Sequence, residues 1–317
     1  MSSVTQNEID AAVAAVEAAA AVTAGAQGRL VAGDTLTKGD DSPVTVADFA
    51  AQAIVCRALA DRLGDVAVVG EETPDDLADQ PDLLAGVASL ASGTPDEVVA
   101  AIALGGADAS TRGRYWTLDP IDGTKGFLRG DQYAIALGLI DDGEVVLGVL
   151  GCPNLPNPDG SRGAVLVGAD GAATIRTAGA DVAVPIRVDD PTTVADARFC
   201  ESVESGHSDQ GQSAEIAQRL GISTEPYRID SQCKYAAVAR GDASIYLRLP
   251  TRADYVEKIW DHAAGKFVVE CAGGVVTDVT GAPLDFGRGA RLEGNSGVVA
   301  TSGGFHDEVI AAVQDVL

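Results

Sequence analysis

Trp116-Thr-Leu-Asp119-Pro120-Ile121-Asp122-Gly123-Thr124 decides how the rest of this chain is read. A strand-like run ends in two carboxylates three residues apart, with Pro120 fixing the turn and Gly123 relaxing it. Asp119 and Asp122 can therefore point the same way from a strand end and hold a pair of metal ions. A few such hard oxygens plus a backbone carbonyl suit magnesium, which keeps several waters for exchange with substrate. Thr124 and the amides after Gly123 are placed to meet a phosphate. The same letters also fit an ordinary acidic turn, because Asp-Pro and Asp-Gly are common loop dipeptides.

Working outward, Gly70-Glu71-Glu72-Thr73 directly follows a short strand, Val66 to Val69. The carboxyl end of a strand is where α/β folds place ligands; the alternative is an acidic loop capping a helix, continued by Asp75 and Asp76. Trp260-Asp261-His262-Ala-Ala-Gly265 opens an apolar helix, so Asp261 is either a further ligand or a helix N-cap. Thr45-Val-Ala-Asp48, just ahead of an apolar-periodic run, has the form of a capping arrangement.

Around these segments the periodicity predicts helices over about Asn7 to Leu30 and Ala47 to Leu63. Strands Tyr133 to Ile140 and Glu144 to Leu150 flank the hairpin signal Asp141-Asp142-Gly143, and a second strand pair surrounds Asp170-Gly171. After Asp189-Asp190-Pro191 the pattern turns to alternating strands and helices. Strands fall near Ala197 to Cys200, Ser244 to Leu249, Val275 to Asp278 and Gly297 to Thr301, and helices near Gln212 to Leu220, Gln232 to Ala239 and His262 to Cys271. A chain of 317 residues is long enough for two domains, here 1–190 and 191–317. The stretch between Thr73 and Tyr115, rich in Ala, Asp and Gly, reads as a surface excursion.

Composition bounds the function. Net charge is −25 with five lysines, a field that repels nucleic acids and anionic membranes. A small phosphorylated substrate remains compatible if cations and local Lys or Arg reverse the field. The five cysteines are scattered with no Cys-x-x-Cys spacing, which argues for free thiols in a reducing compartment, the cytoplasm, and against a zinc site. The Ala/Val run from Ala11 to Val22 carries Glu17 and follows Glu8 and Asp10 with no basic region before it. It reads as an amphipathic helix rather than a signal peptide or membrane span.

The three motifs Gly70-Glu71-Glu72, Asp119-Pro-Ile-Asp-Gly-Thr124 and Trp260-Asp-His-Ala-Ala-Gly265, in this order, resemble the lithium-sensitive, metal-dependent phosphatase superfamily that includes inositol monophosphatase. Within it the chain is most similar to the 3′(2′),5′-bisphosphate nucleotidases. The likeness is carried by Ser42-Pro-Val-Thr-Val-Ala-Asp48, Gly123-Thr-Lys-Gly-Phe-Leu-Arg-Gly-Asp-Gln-Tyr133, Glu204-Ser-Gly-His-Ser208, Asp230-Ser-Gln-Cys-Lys-Tyr235 and Tyr246-Leu-Arg-Leu-Pro250. It runs from about Gly39 to Thr301.

The resemblance implies an α+β fold in α/β/α/β/α layers and magnesium-dependent removal of the 3′-phosphate from 3′-phosphoadenosine 5′-phosphate, and from its 5′-phosphosulfate relative. It implies that Glu71, Asp119 and the Ile121 carbonyl hold one ion, that Asp119, Asp122 and Asp261 hold a second, and that a third, looser ion sits near Glu71 and Asp48. Asp48 and Thr124 would form the pair that orients the attacking water, and Gly123 and Thr124 would meet the phosphate. His207, Ser231, Lys234 and Arg248 would contact the nucleotide and its second phosphate. Lys125 and Arg129 are either solvated charges or phosphate attractors, and Trp116 and Trp260 are packing walls. A monomer is expected. The rival readings are an inositol polyphosphate or other sugar bisphosphate phosphatase of the same superfamily, and a silent adenine-bisphosphate-binding protein.

Overall fold

The computed structural model describes residues 4–29, 35–37, 43–109, 113–177, 180–203, 210–250, 252 and 255–317. Helix α1 (Gln6–Gln27) starts at a capping box between Thr5 and Glu8. The short hairpin β1 (Thr35–Thr37) and β2 (Pro43–Thr45) leads into α2 (Val46–Leu63), which is capped by Thr45 and Asp48. By length and composition α1 could cross a membrane, yet its Ala11, Ala15, Val16 and Ala19 are buried in the core shared with α2 and the adjacent sheet. It is a core helix with one solvated side.

Next come β3 (Val68–Gly70), α3 (Pro81–Leu90), α4 (Pro95–Ala103), β4 (Arg114–Asp122), the short α5 (Thr124–Leu128), β5 (Ala134–Asp141), β6 (Glu144–Pro156), β7 (Arg162–Ala169), β8 (Ala172–Thr177) and β9 (Val184–Ile186). β3 to β9 form one seven-stranded sheet in sequence order, parallel between β3 and β4 and antiparallel from there on. The two Asp-Gly signals do what their backbone preference requires. Asp142 and Gly143, then Asp170 and Gly171, all adopt positive φ, which matches tight hairpin turns to the strand twist.

The second sheet collects β10 (Phe199–Glu201), β11 (Tyr227–Arg228), β12 (Ile245–Arg248), β13 (Val275–Thr277) and β14 (Val298–Thr301) in the order β11-β10-β12-β14-β13. Its helices are α6 (Gln210–Arg219), α7 (Cys233–Ala239), α8 (Ala263–Cys271) and α9 (His306–Gln314). α1 and α2 cover one face of the large sheet, α7 and α8 lie between the two sheets, and α6 and α9 cover the outer face of the small one. Three apolar cores fill the gaps between layers. This is the α/β/α/β/α arrangement.

The two sheets draw on 68–186 and 199–301, and α8 packs on β5, β6 and β7 of the first sheet. Three glycines make that possible. Gly138, Gly148 and Gly168 pair across β5, β6 and β7, so they form a stripe at one level of the sheet. A Cβ on Gly148 would lie 2.5 Å from Ala264 O, and one on Gly168 would lie 3.0 Å from Val268 Cα. The helix backbone therefore rests directly on the strands, which fixes the height of Asp261 above β4.

The stretch 73–115 is not the surface excursion its composition suggested. α3 and α4 bury Leu83, Val87, Val98 and Ile102 against α2. Ala and Gly there serve close helix packing, a use that composition does not separate from solvent exposure. β9, β11 and α9 were not foreseen, the first two because two or three residues carry no period. Gly148→Ala should cost about 1–3 kcal/mol by overpacking, lowering the urea midpoint with an unchanged slope. Gly304→Ala, with nothing within 4 Å of its Cβ, should not.

Candidate functional site

The site is built at the carboxyl end of β4. The parallel register that sets Gly70 opposite Leu118 makes Glu71 the neighbour of Asp119, and Glu71 N donates to Leu118 O at 3.1 Å. The register of β4 against β5 shifts between Asp119 and Asp122, where Ile121 N donates to Asp119 Oδ1 at 3.1 Å. Gly123 then turns the chain with φ 90° and ψ 43°. A Cβ there would come within 2.8 Å of Ser231 Cβ, so only glycine fits where the two halves of the chain meet.

Asp119, Asp122 and Asp261 each offer a carboxylate oxygen within 4.8 Å of the others. Asp119 is buried, and burial together with Glu71, Asp122, Asp261 and Asp48 pushes its carboxyl well above the usual carboxylate range. Burial raises Asp122 as well, but Lys234, Arg248 and the Gln232 amide pull in the opposite sense. Burial takes Asp261 to about 7 against the pull of Arg248 and His262. Hard oxygens converging in a buried place, around a carboxylate whose charged neighbours are acids, fit a divalent cation of the magnesium type. Asp261 is not the N-cap of α8, since His262 occupies that position.

Asp48 makes two separate sets of contacts. Its Oδ2 accepts from Thr45 N at 2.8 Å and Thr45 Oγ1 at 2.6 Å, closing the capping box of α2. Its Oδ1 accepts from Thr124 Oγ1 at 3.2 Å, and that hydroxyl is also 3.2 Å from Ile121 O. Helix capping and the contact with Thr124 thus use different oxygens of one carboxylate.

From the second half of the chain come Ser231, Lys234 and Arg248. Ser231 is buried with φ 65°, and its Oγ accepts from Cys233 N at 3.1 Å. Lys234 is buried with its ammonium 5.2 Å from the Tyr246 ring centroid; burial lowers its pKa, while Asp122, Cys200 and Asp230 support its charge. Arg248 pairs with Glu257 at 2.8 Å and with Asp261 at 3.6 Å. His207 lies outside the described residues. Arg129 is engaged by Asp131 at 2.9 Å and Asp230 at 2.5 Å, while Lys125 is exposed. Trp116 is buried in the first core and Trp260 packs at the edge of the second.

Two positioning residues escaped the sequence reading. Gln52 is fully buried on α2, four residues after Asp48; its Nε2 donates to Glu72 O at 2.7 Å and to Ile102 O at 3.3 Å, and its Oε1 accepts from Glu72 N at 2.9 Å. It pins the loop carrying Glu71 and ties that loop to α4. Gln232 donates its backbone N–H to Asp122, while its side chain donates to Trp260 O at 2.8 Å and accepts from Gly265 N at 3.1 Å. The available signal for Gln52 was a polar residue inside an otherwise apolar helix run.

The model of the inositol monophosphatase family matches residues 3–317. A 3′(2′),5′-bisphosphate nucleotidase of Schizosaccharomyces pombe is 43% identical over 96% of this chain and 94% of its own length. Proteins of the same name from Oryza sativa and Dictyostelium discoideum are 42% and 40% identical, over 98% and 96% of this chain and 94% and 95% of theirs. Among solved structures, an IMPase of Thermotoga maritima superposes with a TM-score of 0.68 at 20% identity, covering 98% of each chain. An inositol monophosphatase from Anabaena gives 0.64 at 22%, over 97% of this chain and 95% of that one. These two likenesses speak to the fold.

Asp261 supplies a test of the acidic cluster. A carboxyl raised from 3.8 to about 7 in the folded state contributes stability below its unfolded pKa and loses it as pH climbs through the folded one. In chelator-treated protein, Asp261→Asn should therefore gain stability relative to the unsubstituted chain as pH rises from about 4 to 7. Magnesium should reduce that gain at pH 7 and above, adding about 2.7 kcal/mol to the unsubstituted chain at a hundredfold excess over its Kd. Thermal melts with and without the ion check this, and a pH-independent difference would refute it.

Proposed function

Because the chain belongs to the inositol monophosphatase family, we propose that it hydrolyses the 3′-phosphate of 3′-phosphoadenosine 5′-phosphate to AMP and phosphate, as a 3′(2′),5′-bisphosphate nucleotidase. The observation that carries the reading is the charge arrangement around Asp122. Acids approach it from the β4 side, whereas Lys234 and Arg248 act on it from the second half of the chain. Cations for one phosphate and a lysine and arginine for another are what a bisphosphate requires in a protein of net charge −25.

Catalysis in this family is metal-dependent; magnesium as the ion and two as the count, with a third looser one near Glu71 and Asp48, belong to the proposal. Glu71, Asp119 and Ile121 O would hold one ion and Asp119, Asp122 and Asp261 the other. Bound there, the ions supply charge neutralisation on phosphoryl oxygens and acidification of water. Phosphate monoester hydrolysis is among the slowest uncatalysed reactions, so charge stabilisation and a placed nucleophile have to provide most of the acceleration.

The chain's own share is proton management and aim. With its hydrogen donated to Asp48 Oδ1, Thr124 Oγ1 turns lone pairs outward, ready to accept from the attacking water and orient it. Asp48 then takes up the proton relayed through Thr124. Gly123 would let the chain run close beneath the phosphate, with Ser231, Lys234 and Arg248 directed at the nucleotide and its second phosphate and His207 assigned to it by resemblance alone. A monomer belongs to the proposal. Free thiols at Cys56, Cys152, Cys200, Cys233 and Cys271 suit a cytoplasmic setting.

Phosphate release from the nucleotide, inositol 1-phosphate and fructose 1,6-bisphosphate at equal concentration, with and without magnesium, tests the assignment. Magnesium-dependent AMP formation that disappears in Asp122→Ala is expected. Thr124→Val should lower kcat by about 10²–10⁴ with little change in KM. Turnover of a sugar phosphate but not of the nucleotide would overturn the reading of Ser231, Lys234 and Arg248 while leaving the metal chemistry intact.

A further inference from the structure

Glu257 has no part in the chemistry described so far, yet it is buried at the centre of a polar row. Its Oε2 lies 2.8 Å from Arg248 Nε and accepts from His262 Nε2 at 3.1 Å. On the other side of that ring, Nδ1 meets the Tyr235 hydroxyl at 2.8 Å. Tyr235 is fully buried and stands edge-on to Tyr246, 5.0 Å between centroids. The row thus runs from a rigid aromatic floor through His262 and Glu257 to Arg248, whose side chain is 24% exposed. Its Nη2 faces outward, 3.6 Å from Asp261 Oδ2 and 3.3 Å from the Tyr255 hydroxyl.

A buried ion pair adds little net stability, because desolvation offsets the attraction. What it does supply is direction. The guanidinium is a planar fork, so holding Nε from behind sets where both terminal nitrogens point. We propose that Glu257 is a specificity-determining positioning residue: by holding Arg248 Nε it aims the terminal nitrogens at the substrate's second phosphate, so that bisphosphates are favoured over monophosphates with the same scissile group. This rests on the role given to Arg248 above.

The sign of the effect separates aiming from simple electrostatics. Glu257 is a negative charge close to an anionic substrate, so by Coulomb's law alone its neutralisation tightens substrate binding. Loss of aim weakens it. Glu257→Asp keeps the charge but withdraws the carboxylate from Nε, and so removes position without removing charge.

The experiment measures kcat and KM of the magnesium-loaded enzyme for 3′-phosphoadenosine 5′-phosphate and for adenosine 3′-monophosphate, together with the magnesium-induced shift in Tm. Glu257→Gln and Glu257→Asp should each raise KM for the bisphosphate about tenfold, with kcat within about twofold. For the monophosphate, kcat should stay within about twofold and KM should not rise, and magnesium should still raise Tm. An unchanged or lower KM for the bisphosphate overturns the proposal, as does an equal loss on both substrates, which marks a general structural role. If the unsubstituted enzyme does not distinguish the two nucleotides, the role of Arg248 fails first and this inference with it. If it does and both variants still do, only the part given to Glu257 falls. Should one variant not fold, the other carries the test.

Discussion

Asp119 sits buried at the end of β4 with Glu71, Asp122, Asp261 and Asp48 as its charged neighbours. Two like charges about 4 Å apart repel by about 4 kcal/mol even at an effective dielectric of 20. A chain left to itself would open such a cluster. Each carboxylate is therefore held by something other than its neighbours: Glu71 by the loop that Gln52 pins, Asp122 by the Gln232 amide, Asp261 by Arg248, and Asp48 by the cap of α2. The cluster is a place where the fold holds charge ready for a cation, at a cost to the metal-free protein.

Holding it requires agreement among elements far apart in sequence. The glycine stripe across β5, β6 and β7 lets α8 rest on the sheet, and that height decides whether Asp261 reaches Asp119. Gly123 packs against Ser231, so the turn carrying Thr124 and the start of α7 share one contact. The two cations near Asp122, Lys234 and Arg248, arrive from α7 in the layer between the sheets and from the end of β12, the central strand of the small sheet. Their contacts are to neighbours that are themselves buried: Tyr246 beneath Lys234, and Glu257, backed by His262 and Tyr235, on Arg248.

The features legible in the sequence are those that short-range physics decides. Asp142-Gly143 and Asp170-Gly171 favour positive φ wherever they occur, and they form the expected hairpins. The inner strands β4, β5 and β6 follow from apolar residues buried on both faces. Asp48 illustrates the boundary: its place in the capping box is readable from Thr45-Val-Ala-Asp48, whereas its contact with Thr124, 76 residues away, is a distance that only packing sets. The segment 73–115 misled because Ala and Gly serve solvent-exposed turns and tight helix contacts alike.

By itself the sequence determined the layered α+β class, the family, and which carboxylates could meet a metal, because three motifs at strand and helix ends are local patterns whose chemistry depends on residue type. Only the tertiary structure decided how those carboxylates converge and which buried groups contact Arg248. It also revealed that Gln52 and Gln232 hold the metal-side loops. Their importance comes from hydrogen bonds across tens or hundreds of residues of chain, and one-dimensional periodicity carries no record of such distances.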